Sequence, residues 1–304
     1  MKSYLKWVGG KGKLMESLFA IFPCDNINNF IEPFAGSASA ALSYIIRFDN
    51  EEIFNVQSGK MMYFLNDVNK ALINTHLQVK NNSTKLIKAL EKNQLAYENS
   101  VDKKSFYYDK RKELNVFIDK FYNNKLSSKE KILFAALFIL INKTCFNGMW
   151  RVNSKNEYNI PWNQNENVNV YNKSNIEGVS SLFRKVSFFS MDFYDFTKSK
   201  VKKGDFVFLD PPYIPINETS FTSYNKEEWS DKDDIRLKEL LDYIDNIGAR
   251  FMMTNSNAPR VRELFHSSNW NITEISAHRF IKPVKAKNNE KRKKVTELVI
   301  RNYE

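Results

Sequence analysis

Residues 205–213 read Asp-Phe-Val-Phe-Leu-Asp-Pro-Pro-Tyr. Phe206 to Leu209 is a short, unbroken run of apolar β-formers, the pattern of a strand buried on both faces in a parallel sheet. It stops at Asp210, because Pro211 and Pro212 cannot continue a central strand. Asp210 therefore falls at the carboxyl end of a buried strand, where open α/β sheets bind their ligands. Asp210, Pro211, Pro212 and Tyr213 together suit one kind of chemistry. The exocyclic amine of a nucleobase is a poor nucleophile, since its lone pair is conjugated into the ring. Two acceptors aimed at its N–H bonds would draw the nitrogen toward tetrahedral geometry and free that lone pair. The Asp210 carboxylate is one such acceptor; a backbone carbonyl, that of Pro211, is the candidate for the other, aimed by a dipeptide of fixed φ. Tyr213 offers a flat face to a base drawn out of its duplex.

Outward from this stretch the same pattern repeats. Downstream, a helix over Asp231–Asn246 leads to a strand at Arg250–Asn255, and Ile272–Ala277 with Val295–Arg301 reads as a closing hairpin. Upstream, Val186–Phe193 is a strand ending in Asp192, and Tyr63–Asp67 is another ending in an acid. Phe30-Ile31 begins the series. It runs into Glu32-Pro33-Phe34-Ala35-Gly36-Ser37-Ala38 and a helix from Ala38 to Phe48. Strand, small-residue turn and helix is a cofactor-binding layout, and an acid one βαβ unit later can bond ribose hydroxyls. Alternatively, Asp67 caps a helix beginning near Val68. The N-terminal Tyr4-Leu5-Lys6-Trp7-Val8-Gly9-Gly10-Lys11 is neither a P-loop nor a dinucleotide fingerprint.

Between Thr75 and Asn142 the strand pattern pauses and helical spacing takes over. The apolar run Ile132–Ile141 is too short to cross a bilayer and reads as a buried helix. An irregular stretch, Asn142–Ser174, follows. It is dense in aromatics, amides and Arg, a composition suited to wedging into and reading a groove. The net charge of +11 points to a polyanionic partner, nucleic acid first. Lys282–Lys294, with seven Lys or Arg, could lie along phosphates. Two cysteines and three scattered histidines give no disulfide framework and no metal spacing, so no metal is expected. The N-terminus has no signal-peptide core, so an intracellular, cytoplasmic protein is expected.

Taken together, these motifs resemble the Dam-type family of S-adenosylmethionine-dependent DNA adenine methyltransferases, over nearly the whole length. The resemblance rests on Leu5–Lys11, Glu32–Gly36, Asn66-Asp67, Phe146-Asn147-Gly148 with Arg151-Val152-Asn153, Asp210–Tyr213, and the basic ending Lys291–Leu298. It implies a mostly parallel α/β sheet of the methyltransferase type (residues 1–75 and 176–304), with a helical target-recognition domain inserted at 76–175. It implies that Trp7, Lys11, Phe34, Ala35, Gly36, Asp67, Asp192, Phe193 and Asp210 bind S-adenosylmethionine, and that Asp210–Tyr213 hold the target adenine. Lys6, Phe146, Asn147, Met149, Arg151, Lys291, Arg292 and Lys293 would meet double-stranded DNA. The expected reaction is methyl transfer to the adenine amine after base flipping, within GATC or a longer site containing GAT. A cognate restriction endonuclease is a candidate companion. The same chemistry on RNA, and a DNA-binding protein without activity, are the rival readings. One departure stands out: the family often has a second glycine where this chain has Ala38.

Overall fold

The computed structural model describes residues 2–11, 14–23, 25–48, 61–216, 229–277 and 295–304. The basic run with Lys291, Arg292 and Lys293 lies outside the described residues. Elements follow in the order α1 (Met15–Phe19), β1 (Asn29–Glu32), α2 (Ser39–Phe48), β2 (Met62–Asn66), α3 (Lys70–Asn99), α4 (Lys103–Tyr122), α5 (Ser128–Thr144) and α6 (Lys173–Phe183). Then come β3 (Val186–Phe189), α7 (Phe193–Lys200), β4 (Phe206–Leu209), α8 (Asp231–Asn246), β5 (Arg250–Ser256), α9 (Pro259–Leu264), β6 (Asn271–Ala277) and β7 (Val295–Arg301). The seven strands order β3-β2-β1-β4-β5-β7-β6. The pairs β2–β3, β1–β4 and β4–β5 are parallel; β7 runs antiparallel to both β5 and β6. This is the mixed, mostly parallel α/β sheet that the sequence pattern predicts.

The chain divides into two compact units, one of residues 1–12, 35–50 and 62–192, the other of residues 13–34, 51–61 and 193–304. The first carries β2, β3 and the helices α2 to α6. Asn69 starts α3 by accepting the Leu72 N–H at 3.1 Å. Asp102 starts α4 in the same way, and Ser127 with Glu130 closes a capping box on α5. Residues 134–142 of α5 are buried without a break. Such a helix is held by packing rather than by an amphipathic stripe, each fully buried large apolar side chain contributing about 1.5–3 kcal/mol. Among the described residues no helix is long and apolar enough to cross a membrane.

The second unit carries β1, β4, β5, β6 and β7. All four residues of β4 are buried, as the unbroken apolar run requires. Chain leaves β1 toward β2 on one side and leaves β4 toward β5 on the other. The β1–β4 boundary is therefore the topological switch point, the position at which open α/β sheets bind ligands. Asp210 follows β4 there.

Three boundaries differ from the sequence reading. β3 ends at Phe189, and Asp192 is reached only after Ser190 and Met191. The helix expected near Val68 starts at Lys70, because Asn69 rather than Asp67 supplies its cap. α2 starts at Ser39, because Ala38 takes φ = 56°, outside the helical region.

Candidate functional site

In the first unit, the turn Ala35–Ala38 is held from several sides. Ala35 N–H donates to Asn66 O at 2.8 Å and Ala38 N–H to Ala35 O at 2.7 Å. Gly36 N–H donates to Asp67 Oδ2 at 2.9 Å, and Ser3 Oγ donates to the Ser37 carbonyl at 2.9 Å. Gly36 lies at φ = 48° and sits under Trp7: a Cβ there would stand 2.9 Å from Trp7 Cδ1 and Nε1. Both the left-handed backbone and the close indole call for glycine. Ala38 keeps the left-handed geometry that a glycine would take more easily. Asp67 also accepts the Asn69 N–H at 2.9 Å through Oδ1, while Ser190 Oγ donates to its carbonyl at 2.9 Å. Asn66 pairs twice with Met191, donating to its carbonyl at 3.0 Å and accepting its N–H at 2.8 Å. That pairing fixes the segment carrying Asp192 beside the end of β2. Lys11 is buried, and its Nζ donates to Gly9 O at 3.2 Å.

The same unit holds the aromatic and amide stretch. Phe146–Gly148 is one turn of 3-10 helix, with Asn147 at φ = 55°. Asn147 is exposed, Phe146 and Arg151 are half-buried, and Met149 is buried, so its side chain packs inward. Arg151 Nε donates to Asn159 Oδ1 at 2.9 Å, which fixes the plane of the guanidinium. Asn142 clamps the exposed Lys6 to this loop. Its Oδ1 accepts Lys6 N–H at 2.9 Å, and its Nδ2 donates to Lys6 O at 2.7 Å and to Gly148 O at 3.1 Å. Burial, and then the Lys6 cation, pull Lys143 down to about 8. Trp7, Phe138 and Trp150 stack in turn, with centroids 6.5 and 4.6 Å apart, and Tyr158 follows at 5.1 Å.

In the second unit, Asp210–Ile214 is pinned to the neighbouring strands. Thr254 Oγ1 on β5 donates to Asp210 Oδ1 at 2.7 Å. Ile214 N–H donates to Asn255 Oδ1 at 3.1 Å, and Ser256 Oγ donates to the Ile214 carbonyl. Tyr213 Oη donates to Glu297 Oε2 on β7 at 2.7 Å; burial, with Asp210 and Glu297 nearby, pushes the phenol well above its usual range. Pro212 is exposed and Tyr213 half-buried. Phe34, Phe193 and Trp229 form an aromatic cluster with centroids 5.2–5.6 Å apart, and the Arg236 guanidinium lies 5.0 Å from Phe193. Phe193 is buried within it. Thus Trp7, Ala35, Gly36 and Asp67 come together in one unit, and Phe34 and Phe193 in the other.

Sequence reasoning missed His76, Asn142, Thr254, Glu297 and Trp229. Only Thr254-Asn255-Ser256 carried a usable signal, a polar run ending a strand that is otherwise apolar. Among the described residues no His, Cys, Asp or Glu cluster is grouped to hold a metal ion.

The second unit thus carries an acid directly after a buried parallel strand, and the first a glycine turn anchored by an acid. A model of the D12 class N6 adenine-specific DNA methyltransferases matches residues 7–281, and the chain belongs to that family. It is 31% identical over its full length to 99% of the type II methyltransferase M.MjaIII of Methanocaldococcus jannaschii. It is 34% identical, again over its full length, to 96% of M1.LlaDCHI, a type II methyltransferase of Lactococcus lactis subsp. cremoris. The DNA adenine methylase of Haemophilus influenzae is 27% identical over 98% of this chain and 92% of its own. The chain is a DNA adenine methyltransferase.

Proposed function

We infer that this enzyme draws its target adenine out of duplex DNA and methylates it within GATC or a longer GAT-containing site, using S-adenosylmethionine. The observation that carries the reading is Asp210 at the end of β4, with one oxygen fixed by Thr254 and two prolines following. The Asp210 carboxylate and the Pro211 carbonyl accept from the adenine amine, and Tyr213 faces the base. Holding the amine in line, with reacting atoms about 3 Å apart, supplies most of the acceleration. Bound S-adenosylmethionine supplies a methyl group on a sulfonium, ready for direct displacement. The donor set fits that molecule: a left-handed glycine turn after β1, and an acid at the end of β2 tied to that turn. The reading assigns Trp7, Lys11, Ala35, Gly36, Asp67 and Asp192 to it, with Phe34 and Phe193 as apolar walls.

Residues 76–175 act as the target-recognition domain. Phe146 wedges into the base stack, and Lys6, Asn147 and Arg151 face the groove; Met149 supports the loop from within. Lys291, Arg292 and Lys293 lie along phosphates. A companion restriction endonuclease is in keeping with the names of two full-length relatives, both type II methyltransferases. An enzyme acting on DNA in this way works in the cytoplasm. Mapping methylated adenines in DNA from an expressing host tests the site: methylation confined to GAT contexts is expected, and methylation elsewhere refutes it. Arg151 should bond a guanine bidentately. Arg151→Ala should cost about 1–3 kcal/mol on the cognate duplex and relax preference at one base pair. A uniform loss across singly substituted duplexes would sink that assignment.

A further inference from the structure

His76 lies inside α3 and is wholly buried, yet both ring nitrogens are engaged by groups far away in sequence. Nε2 stands 2.8 Å from the Gly36 carbonyl, and Nδ1 stands 2.7 Å from Tyr4 Oη. A carbonyl only accepts, so Nε2 carries the proton and Nδ1 accepts from the tyrosine. The ring stacks on Phe188 at 5.1 Å and meets Phe183 edge-on. Burial holds the imidazole near 4, so it stays neutral in the assay range.

We propose that His76, backed by Tyr4, is a positioning residue that fixes the Gly36–Ser37 peptide and so keeps the turn in its cofactor-accepting shape. Gly36 is bracketed: its N–H is held by Asp67 and its carbonyl by His76. Glycine at positive φ can rotate a flanking peptide with little steric resistance. The Ala38 N–H bond to Ala35 O closes the turn around this peptide, and Ser3 holds the Ser37 carbonyl. A turn closed in that way accommodates either orientation of its central peptide, and the His76 bond to the Gly36 carbonyl selects the one observed. Removing the imidazole donor strands a buried carbonyl, and the peptide gains by turning that oxygen elsewhere, into the space the turn presents to ligand. Tyr4 contributes by holding the ring in the tautomer that donates to Gly36. The inference rests on the reading that this turn binds S-adenosylmethionine.

The test compares His76→Phe, which keeps a flat ring against Phe188 but makes neither hydrogen bond, with His76→Gln, whose amide can donate to Gly36, and with Tyr4→Phe. Calorimetry gives S-adenosylmethionine affinity; fluorescence anisotropy on a GATC duplex without cofactor gives DNA affinity. His76→Phe should raise the cofactor Kd about tenfold, Tyr4→Phe about threefold, and His76→Gln should recover most of the loss. DNA affinity should stay within about twofold, since a buried hydrogen bond lost under the turn costs the cofactor alone. Wild-type cofactor affinity in His76→Phe, or DNA affinity falling in step with it, overturns the inference. If His76→Phe does not fold, unchanged cofactor affinity in Tyr4→Phe, or a full tenfold loss in His76→Gln, overturns it equally. A wild-type protein that binds no S-adenosylmethionine refutes the cofactor reading instead.

Discussion

Asp67 and Asp210 each follow a parallel strand, and in the sequence they look alike. Their surroundings differ. Asp67 accepts backbone N–H groups from Gly36 and Asn69, at 2.9 Å each. Asp210 accepts a side-chain hydroxyl, Thr254 Oγ1. The residues that follow account for the difference. Two positions after Asp67 stands Asn69, whose N–H turns back onto the carboxylate; two positions after Asp210 stands Pro212, which has no N–H to give. A carboxylate gripped by main-chain amides shapes a turn. One followed by prolines cannot receive the N–H of the second residue after it, and Asp210 is the acid that the proposed reaction uses.

The largest effect should fall on Asp210. Asp210→Ala and Asp210→Asn should each slow single-turnover methyl transfer by about 10³-fold or more while leaving DNA binding and melting temperature nearly unchanged. Near-normal turnover in either would erase the contrast.

Acid should act on the other side. His76 holds the same turn as Asp67, and burial lowers its pKa from 6.5 to about 4. Above pH 6.5 the imidazole is neutral folded and unfolded, so its contribution is complete. As pH falls from 6.5 toward 4 the unfolded chain takes up the proton first, and roughly 3 kcal/mol of stability is lost. Urea denaturation from pH 7 to 4 should show this slope in wild type and not in His76→Phe; equal slopes would remove His76 as its source.

Asp67→Asn replaces one acceptor oxygen by a donor facing a backbone N–H. It should destabilise the protein by about 1–3 kcal/mol, read by chemical denaturation, where Asp210→Asn costs little. If the two asparagine variants are equally stable, the acids do not differ as described. The smallest effect belongs to Pro212→Ala, which returns an N–H to the position where Asn69 stands after Asp67. Turnover should fall about tenfold with cofactor affinity intact, as the new amide competes for the Asp210 carboxylate.

The strands were legible from sequence because each buried run had to be apolar and short, and Asp210 was legible because prolines end β4 so abruptly. Partnerships across the chain were not. His76 meets Tyr4 and Gly36, 72 and 40 positions away, and nothing in its helical neighbourhood marks it. Asn142 reads as one more amide among many until its bonds to Lys6 and Gly148 are seen. Ala38 hid its positive φ behind a residue that favours helix.

The Asn142 clamp has a consequence for engineering. Gly148 lies so close to Lys6 that a Cβ there would stand 2.5 Å from the Lys6 Cβ, and Asn142 bonds the main chain of both. The loop proposed to read DNA is thus not a cassette that can be lifted out by itself. Swapping it for a relative's loop, to redirect the enzyme to another DNA word, means transplanting the N-terminal strip around Lys6 together with residues 142–151. A chimera that exchanges only the second piece inherits a mismatched seam.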